Sequence, residues 1–278
     1  MFQYFISNIR SAAALIGGLL SESARSCPLC RTPARGIQLK ADIRASLPAN
    51  AALLGICRAC ASEIPWIGPI ACAVCGRPDP CGDCARRDTA HFICSRSAVR
   101  YNDRIREWLA LFKYRGDERL AEPLADMLDI AFRRLEAMLQ SRMPGHRWDA
   151  VIPVPVSSER LAERGFNQAE RLAELLCSRR SLPLCKLLHR TLHSEKKSLQ
   201  SRLARLKSAE GLFVADNTAV HAFVEGMSRP GPVNLLILDD IYTTGSTIEA
   251  CSEAVSSAIQ RYLPNRNVQV YAVTLARS

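Results

Sequence analysis

The chain has 278 residues, 48% hydrophobic and 23% charged, with a formal net charge of +10. That length allows one large core plus a small accessory module, and the composition is an ordinary globular balance. The positive charge favours anionic partners, phosphates or nucleic acid, over cationic ones without choosing between them, and no stretch reaches the length of a membrane span.

Residues 1–24 form the first segment. Ser11 to Leu20 is apolar and follows Arg10. The run is too short to cross a bilayer. Met1–Leu20 reads as an amphipathic helix packing on the protein, with a targeting or membrane-surface segment as the alternative.

Residues 25–90 are rich in Cys, Pro, Gly and Arg and lack sustained periodicity. Nine of the 12 cysteines lie before residue 95, and eight of those form Cys-x-x-Cys pairs: Cys27/Cys30, Cys57/Cys60, Cys72/Cys75 and Cys81/Cys84. Disulfide frameworks belong to small secreted chains. Repeated Cys-x-x-Cys in a mid-sized chain points instead to metal binding in a reducing, cytoplasmic compartment. Two such knuckles supply the four thiolates of a tetrahedral zinc site, so four knuckles supply two. Pairing in chain order puts Cys27, Cys30, Cys57 and Cys60 on one ion and Cys72, Cys75, Cys81 and Cys84 on the other. A cross-braced pairing and iron–sulfur ligation are the alternatives. Cys94, Cys177, Cys185 and Cys251 have no such partners and are expected to be core or surface thiols.

From His91 the pattern changes to a single domain over 91–278. Phe92 to Tyr101 reads as a strand. Asp103 to Tyr114 carries Ile105, Trp108, Leu109 and Phe112 at helical spacing. Leu120 to Leu139 is a second helix, with Pro123 tolerable in its first turn. Ala150 to Val154 is a short buried strand, 157–167 a basic loop and Gln168 to Ser178 a helix. Residues 192–208 are polar and basic. Asn234 to Leu238, Thr247 to Arg261 and Val268 to Leu275 read as strand, helix and strand. Strands alternating with helices imply a parallel α/β sheet.

Leu235-Leu236-Ile237-Leu238-Asp239-Asp240-Ile241-Tyr242-Thr243-Thr244-Gly245-Ser246-Thr247 meets the needs of a ribose 5-phosphate. A strand entering a tight loop and then a helix presents backbone N–H groups and a favourable dipole to the phosphate. Gly245 permits the turn and a close backbone approach. Thr243, Thr244, Ser246 and Thr247 add hydroxyl donors. Asp239 and Asp240 are placed to accept from ribose hydroxyls, at the sheet edge where ligands of open α/β sheets sit. A second element runs from Val151-Ile152-Pro153-Val154-Pro155-Val156 into Arg160, Arg164-Gly165-Phe166-Asn167-Gln168. Arg160 and Arg164 lie four apart, so a helical turn puts both on one side, in reach of pyrophosphate.

The first string resembles the fingerprint of type I phosphoribosyltransferases at all thirteen positions. With the Cys-x-x-Cys pairs, Lys113-Tyr114-x-Gly116 and Arg164-Gly165-Phe166-Asn167-Gln168, nearly the whole chain resembles the ComF family of competence-associated proteins. The resemblance implies a type I phosphoribosyltransferase-like parallel sheet with helices on both faces, behind a Cys-rich zinc module. The ligand it implies is phosphoribosyl pyrophosphate with Mg²⁺. It also places a mobile hood before Ser201-Arg202, where this chain carries Lys196-Lys197-Ser198-Leu199-Gln200 in place of the family's Gln-Thr-x-Leu-like string.

Two functions follow from these readings. One is phosphoribosyl (pentosyl) transfer to an acceptor that no motif names, with no side chain standing out as a general base. The other is a non-catalytic sensor or single-stranded DNA-binding protein of the DNA uptake machinery, acting with other competence proteins. Trp66, Trp108 and Phe166 are its candidate stacking surfaces.

Overall fold

The computed structural model describes residues 26–34, 39–85, 90–114, 117–191 and 211–278. The expected helix over 1–24, the basic segment 192–208 with its Lys196–Lys207 hood, and Gly116 lie outside them. The chain divides into two compact units after Ser62. Among its described residues the smaller unit holds a short helix, Ala41–Ala45, a 3₁₀ turn, Ala52–Gly55, and most of the helix Arg58–Glu63. Its buried residues are few, among them Cys27, Leu29, Ile43, Leu53 and Ile56. A core of that size favours a metal staple.

The larger unit is built on β1 (Cys94–Arg100), β2 (Ala150–Pro153), β5 (Val233–Tyr242) and β6 (Val268–Arg277). These make a wholly parallel sheet in the order β1-β6-β5-β2. A separate antiparallel pair joins β3 (Leu188–Arg190) to β4 (Phe213–Ala215). Its main helices are α1 (Asp103–Tyr114), α2 (Ala121–Arg142), α3 (Ser158–Arg164), α4 (Gln168–Arg180), α5 (Asn217–Glu225) and α6 (Ser246–Tyr262), with a short helix at Gly82–Ala85. Val233 to Leu238 is a continuous buried run, the mark of a strand covered on both faces. The β1-to-β2 and β5-to-β6 connections cross the sheet in opposite directions. Right-handed crossovers therefore carry α2 and α6 to opposite faces. Accordingly α2 packs on β1, β6 and α4, while α6 packs on β5, β6 and β4.

Sequence and structure agree closely on the central elements. In α1 the buried residues are Ile105, Trp108, Leu109 and Phe112, the four that the spacing selected. The segment 157–167, expected as a loop, contains α3. Its ends are self-contained. Ser157 accepts from the Arg160 N–H at the start, and Gly165 ends it in the left-handed region at φ 77°. The cysteine-rich stretch 25–90 is shared between the two units, because the second group of cysteines lies after Ser62. There Ser95 N–H donates to the Val74 carbonyl at 2.7 Å, tying that group to β1.

The α2–α4 contact is locked by charge. Asp126 and Asp129 are 1% exposed on α2 and face Arg179 and Arg180 of α4. The guanidinium of Arg180 takes Asp129 in two-pronged geometry through Nε and Nη2. A buried carboxylate left without its partner is strongly destabilising. Arg180→Ala is therefore expected to cost about 3 kcal/mol, read as a lower urea midpoint at unchanged m-value. Arg180→Ala with Asp129→Leu together is expected to recover most of that loss.

Candidate functional site

The site is assembled at the carboxyl ends of β5 and β6. Pairing continues past the buried apolar run, so Asp239 and Tyr242 still face Thr274 and Arg277 of β6. Both acids thus stand on strand backbone rather than in the loop. Neighbouring strand residues point to opposite faces, and the surroundings of the two carboxylates differ accordingly. Asp240 forms an ion pair with Lys113 at the end of α1. Asp239 lies among Cys251 of α6 and Arg190 of β3, and its carboxylate accepts from the Asp240 N–H at 2.8 Å. Burial, and then the like charge of Asp240, push the Asp239 pKa well up, against the smaller pull of the Asp240 N–H and of Lys113.

Beyond Tyr242 the chain turns through Thr243 and Thr244 to Gly245, at φ 83°, which opens α6. Four other helices of this unit begin on a side chain that accepts from their own first turn, Asn102, Ser157, Asn167 and Asp216, whereas α2 follows Leu120 without such a cap. Gly245 has no side chain to do this. Thr244 Oγ1 lies 3.1 Å from Ser246 Oγ, so the two hydroxyls stand together at the helix mouth. The Ser246 N–H lies 3.5 Å from Thr244 Oγ1, and the dipole of α6 makes its N-terminus favourable to negative charge.

The two arginines of the second element have different neighbours. Arg160 stands near Arg190, whose pKa is lowered first by burial and then by the charge of Arg160, with Asp239 acting in the opposite sense. Arg164 stacks on Tyr114 with its guanidinium 4.9 Å from the ring centroid. It also donates to Gln168 Oε1 at 2.9 Å and to the Tyr114 hydroxyl at 3.2 Å. The strings Lys113-Tyr114 and Arg164 to Gln168 therefore meet in space, and Phe112 packs edge-on against Phe166 at 5.2 Å. Two residues near the acids had no assigned role in the sequence. Lys113 was visible as part of a motif. Arg190 carried no signal, because β3 is only three residues long. Trp108, offered as a stacking surface, is a core residue at 2% exposure. Phe166 is partly spent on Phe112.

The eight paired cysteines gather as two groups in chain order: Cys27, Cys30, Cys57 and Cys60, then Cys72, Cys75, Cys81 and Cys84. Within each group the sulfur atoms lie within 4.8 Å of one another. Cys30 and Cys57 are 3.5 Å apart and Cys75 and Cys81 3.6 Å. A tetrahedron of sulfurs around zinc has edges of roughly 3.8 Å, given Zn–S near 2.3 Å. Both groups fit a metal ion. The Cys60 N–H approaches Cys57 Sγ at 3.5 Å, a backbone contact within the knuckle. Burial and the neighbouring sulfurs of Cys30 and Cys57 raise the Cys60 pKa. Cys30 is the exception. Burial is outweighed there by the Thr32 hydroxyl and N–H, and its pKa falls to about 6. Of the unpaired thiols, Cys94, Cys177 and Cys251 are buried and Cys185 is intermediate.

Among curated proteins, the chain is 34% identical over 202 residues to competence protein ComFC of Bacillus subtilis (strain 168), covering 69% of this chain and 74% of that protein. It is 25% identical over 237 residues to competence protein F of Haemophilus influenzae, covering 80% and 91%. No family model matches. Among solved structures, adenine phosphoribosyltransferase of Saccharomyces cerevisiae is similar at 14% identity and a TM-score of 0.30, over 56% of this chain and 69% of that one.

The raised pKa of Asp239 has a consequence for stability. The folded chain holds this proton to a higher pH than the unfolded chain does. Stability is therefore lost as pH rises above the ordinary aspartate value of about 3.9. Asp239→Asn removes that penalty. Without ligand, the variant is expected to melt at a higher temperature than the parent at pH 7, and the gap should close as pH falls to about 4. Calorimetry across that range checks it.

Proposed function

The chain belongs to the ComF family of competence proteins, and on that premise we propose that it binds phosphoribosyl pyrophosphate with Mg²⁺ at the β5–α6 turn. The observation that carries this is the strand-borne acid pair running directly into a helix whose first residue supplies no cap. Asp239 and Asp240 would accept from the ribose hydroxyls, while the N–H groups and hydroxyls of Thr243, Thr244, Gly245, Ser246 and Thr247 receive the 5-phosphate. Lys113, Arg160, Arg164 and Arg190 outnumber the two acids, which suits a ligand of several negative charges. Mg²⁺ arriving with the ligand supplies further neutralisation of the diphosphate.

Transfer of the phosphoribosyl group to an acceptor would then rest on positioning and on stabilising the departing pyrophosphate. Arg160 is the better placed of the two arginines for this, since Arg164 is committed to Tyr114 and Gln168. The relatives' names support a role in competence. Two zinc ions are assigned to the cysteine groups. Single-stranded DNA binding is the weaker reading, because Trp108 is buried and Phe166 packs on Phe112.

Isothermal titration with phosphoribosyl pyrophosphate and Mg²⁺ should give one site per chain. Asp239→Asn and Asp240→Asn should each weaken it by about tenfold or more, the worth of a charge-assisted hydrogen bond. Unchanged affinity in both folded variants would remove the assignment. Pyrophosphate release across a panel of nucleobases and amines then separates a transferase from a sensor. Elemental analysis of freshly purified protein should find about two zinc ions per chain; iron with sulfide in their place would shift the cysteine groups to clusters.

A further inference from the structure

We propose that the metal site formed by Cys72, Cys75, Cys81 and Cys84 holds the phosphate turn in position, and that Arg277 is the positioning residue that connects them. Arg277 is the last residue of β6 and only 4% exposed. Its Nη1 donates to the Thr243 carbonyl at 2.7 Å and to the Tyr242 carbonyl at 3.3 Å. Its Nη2 donates to Cys75 Sγ at 3.6 Å. The guanidinium also lies 4.6 Å from the centroid of the Tyr242 ring. One buried cation thus touches a metal-ligand sulfur on one side and, on the other, the two backbone carbonyls that lead into Gly245.

The rest of this corner makes the link stiff. Gly76, at φ +68°, packs so tightly on β1 that a Cβ there would stand 2.7 Å from the Ser95 carbonyl oxygen. Arg96 Nη1 donates to the Ala73 carbonyl at 3.0 Å, and Ser95 N–H to the Val74 carbonyl at 2.7 Å. Arg77 Nη2 donates to the Ser278 carbonyl at 3.2 Å, while the Ser278 N–H donates to Tyr242 at 2.9 Å. The Cys72–Cys75 knuckle is therefore bound to β1 and to the end of β6, and the end of β6 to the end of β5.

Chemistry gives the link its dependence on metal. Four thiolates around a dication carry a net negative charge, and a metal-bound Cys75 thiolate is a strong acceptor for a guanidinium. Without the ion nothing fixes Cys75 Sγ against its three neighbouring sulfurs, and the Arg277 contact loses its anchored end. The carbonyls of Tyr242 and Thr243 lose a fixed donor at the point where the chain must turn. That this turn receives phosphate is the proposal made above. The mechanical coupling does not depend on it.

The test uses the full chain and reads amide hydrogen exchange of Thr243–Ile248 without ligand, alongside zinc content and phosphoribosyl pyrophosphate titration. Cys81→Ser removes a ligand that has no contact with Arg277 among the described hydrogen bonds. It should lose one zinc ion and speed exchange in the turn by about tenfold, the change in opening equilibrium that follows loss of one net hydrogen bond. Arg277→Gln should speed the same amides to a similar degree while keeping both zinc ions, and Arg277→Lys should restore part of the protection. Both Cys81→Ser and Arg277→Gln should weaken titration by a similar factor. If Cys81→Ser does not fold, Arg277→Gln and partial chelation of the parent protein give the same comparison. Turn exchange unchanged by loss of the zinc ion, or by Arg277→Gln with zinc retained, overturns the coupling. Faster exchange with no phosphoribosyl pyrophosphate binding even in the parent keeps the coupling and removes the ligand assignment.

Discussion

Two carboxylates on consecutive residues at the inner end of a buried strand set the terms for everything around them. Burial and the like charge of Asp240 make an ionised Asp239 costly. Asp240 is ion-paired with Lys113, and Asp239, beside Cys251 of α6, holds its proton more tightly than an ordinary aspartate. Nothing in packing requires acids there. The same strand carries leucine and isoleucine for its preceding turns of register without difficulty. Under the proposed function, the cost to stability of this acid pair is offset by the ligand it would hold.

The fold offsets part of the cost by bringing cations from elements distant in sequence, Lys113 from α1 and Arg190 from the β3–β4 pair. The strand order places β5 between β6 and β2, so that the α6 mouth opens beside the end of β6 and the exit of β2 leads into α3. The second cysteine group sits on the same corner. Its metal would stiffen the backbone into which the acids run, which gives a structural staple a direct bearing on the ligand.

Much of this was legible in the sequence, for reasons that can be named. The β5–α6 turn is local: strand, acids, glycine and helix are contiguous, so their geometry follows from thirteen residues. The helix α1 was visible because its four buried residues sit on one face with no competing pattern. The cysteine groups were legible as pairs, but only the folded chain brings Cys27/Cys30 to Cys57/Cys60 and Cys72/Cys75 to Cys81/Cys84. Three features could not be read. The helix α3 is seven residues with no buried member, so hydrophobic periodicity has nothing to register. The strands β3 and β4 are three residues each and pair across an interval of more than twenty, beyond any local signal. The link through Arg277 joins a cysteine 202 positions away to a carbonyl 34 positions away, and neither neighbour leaves a mark beside Arg277 in the chain.

The central claim is that the acids and the glycine turn form one ligand site. A crystal structure of the protein grown with phosphoribosyl pyrophosphate and Mg²⁺ tests it most directly. The 5-phosphate should lie within hydrogen-bond distance of the Gly245, Ser246 and Thr247 N–H groups, with the ribose hydroxyls on Asp239 and Asp240 and the diphosphate toward Arg160. A fully occupied ligand held elsewhere, with the α6 mouth still filled by solvent, would contradict the account.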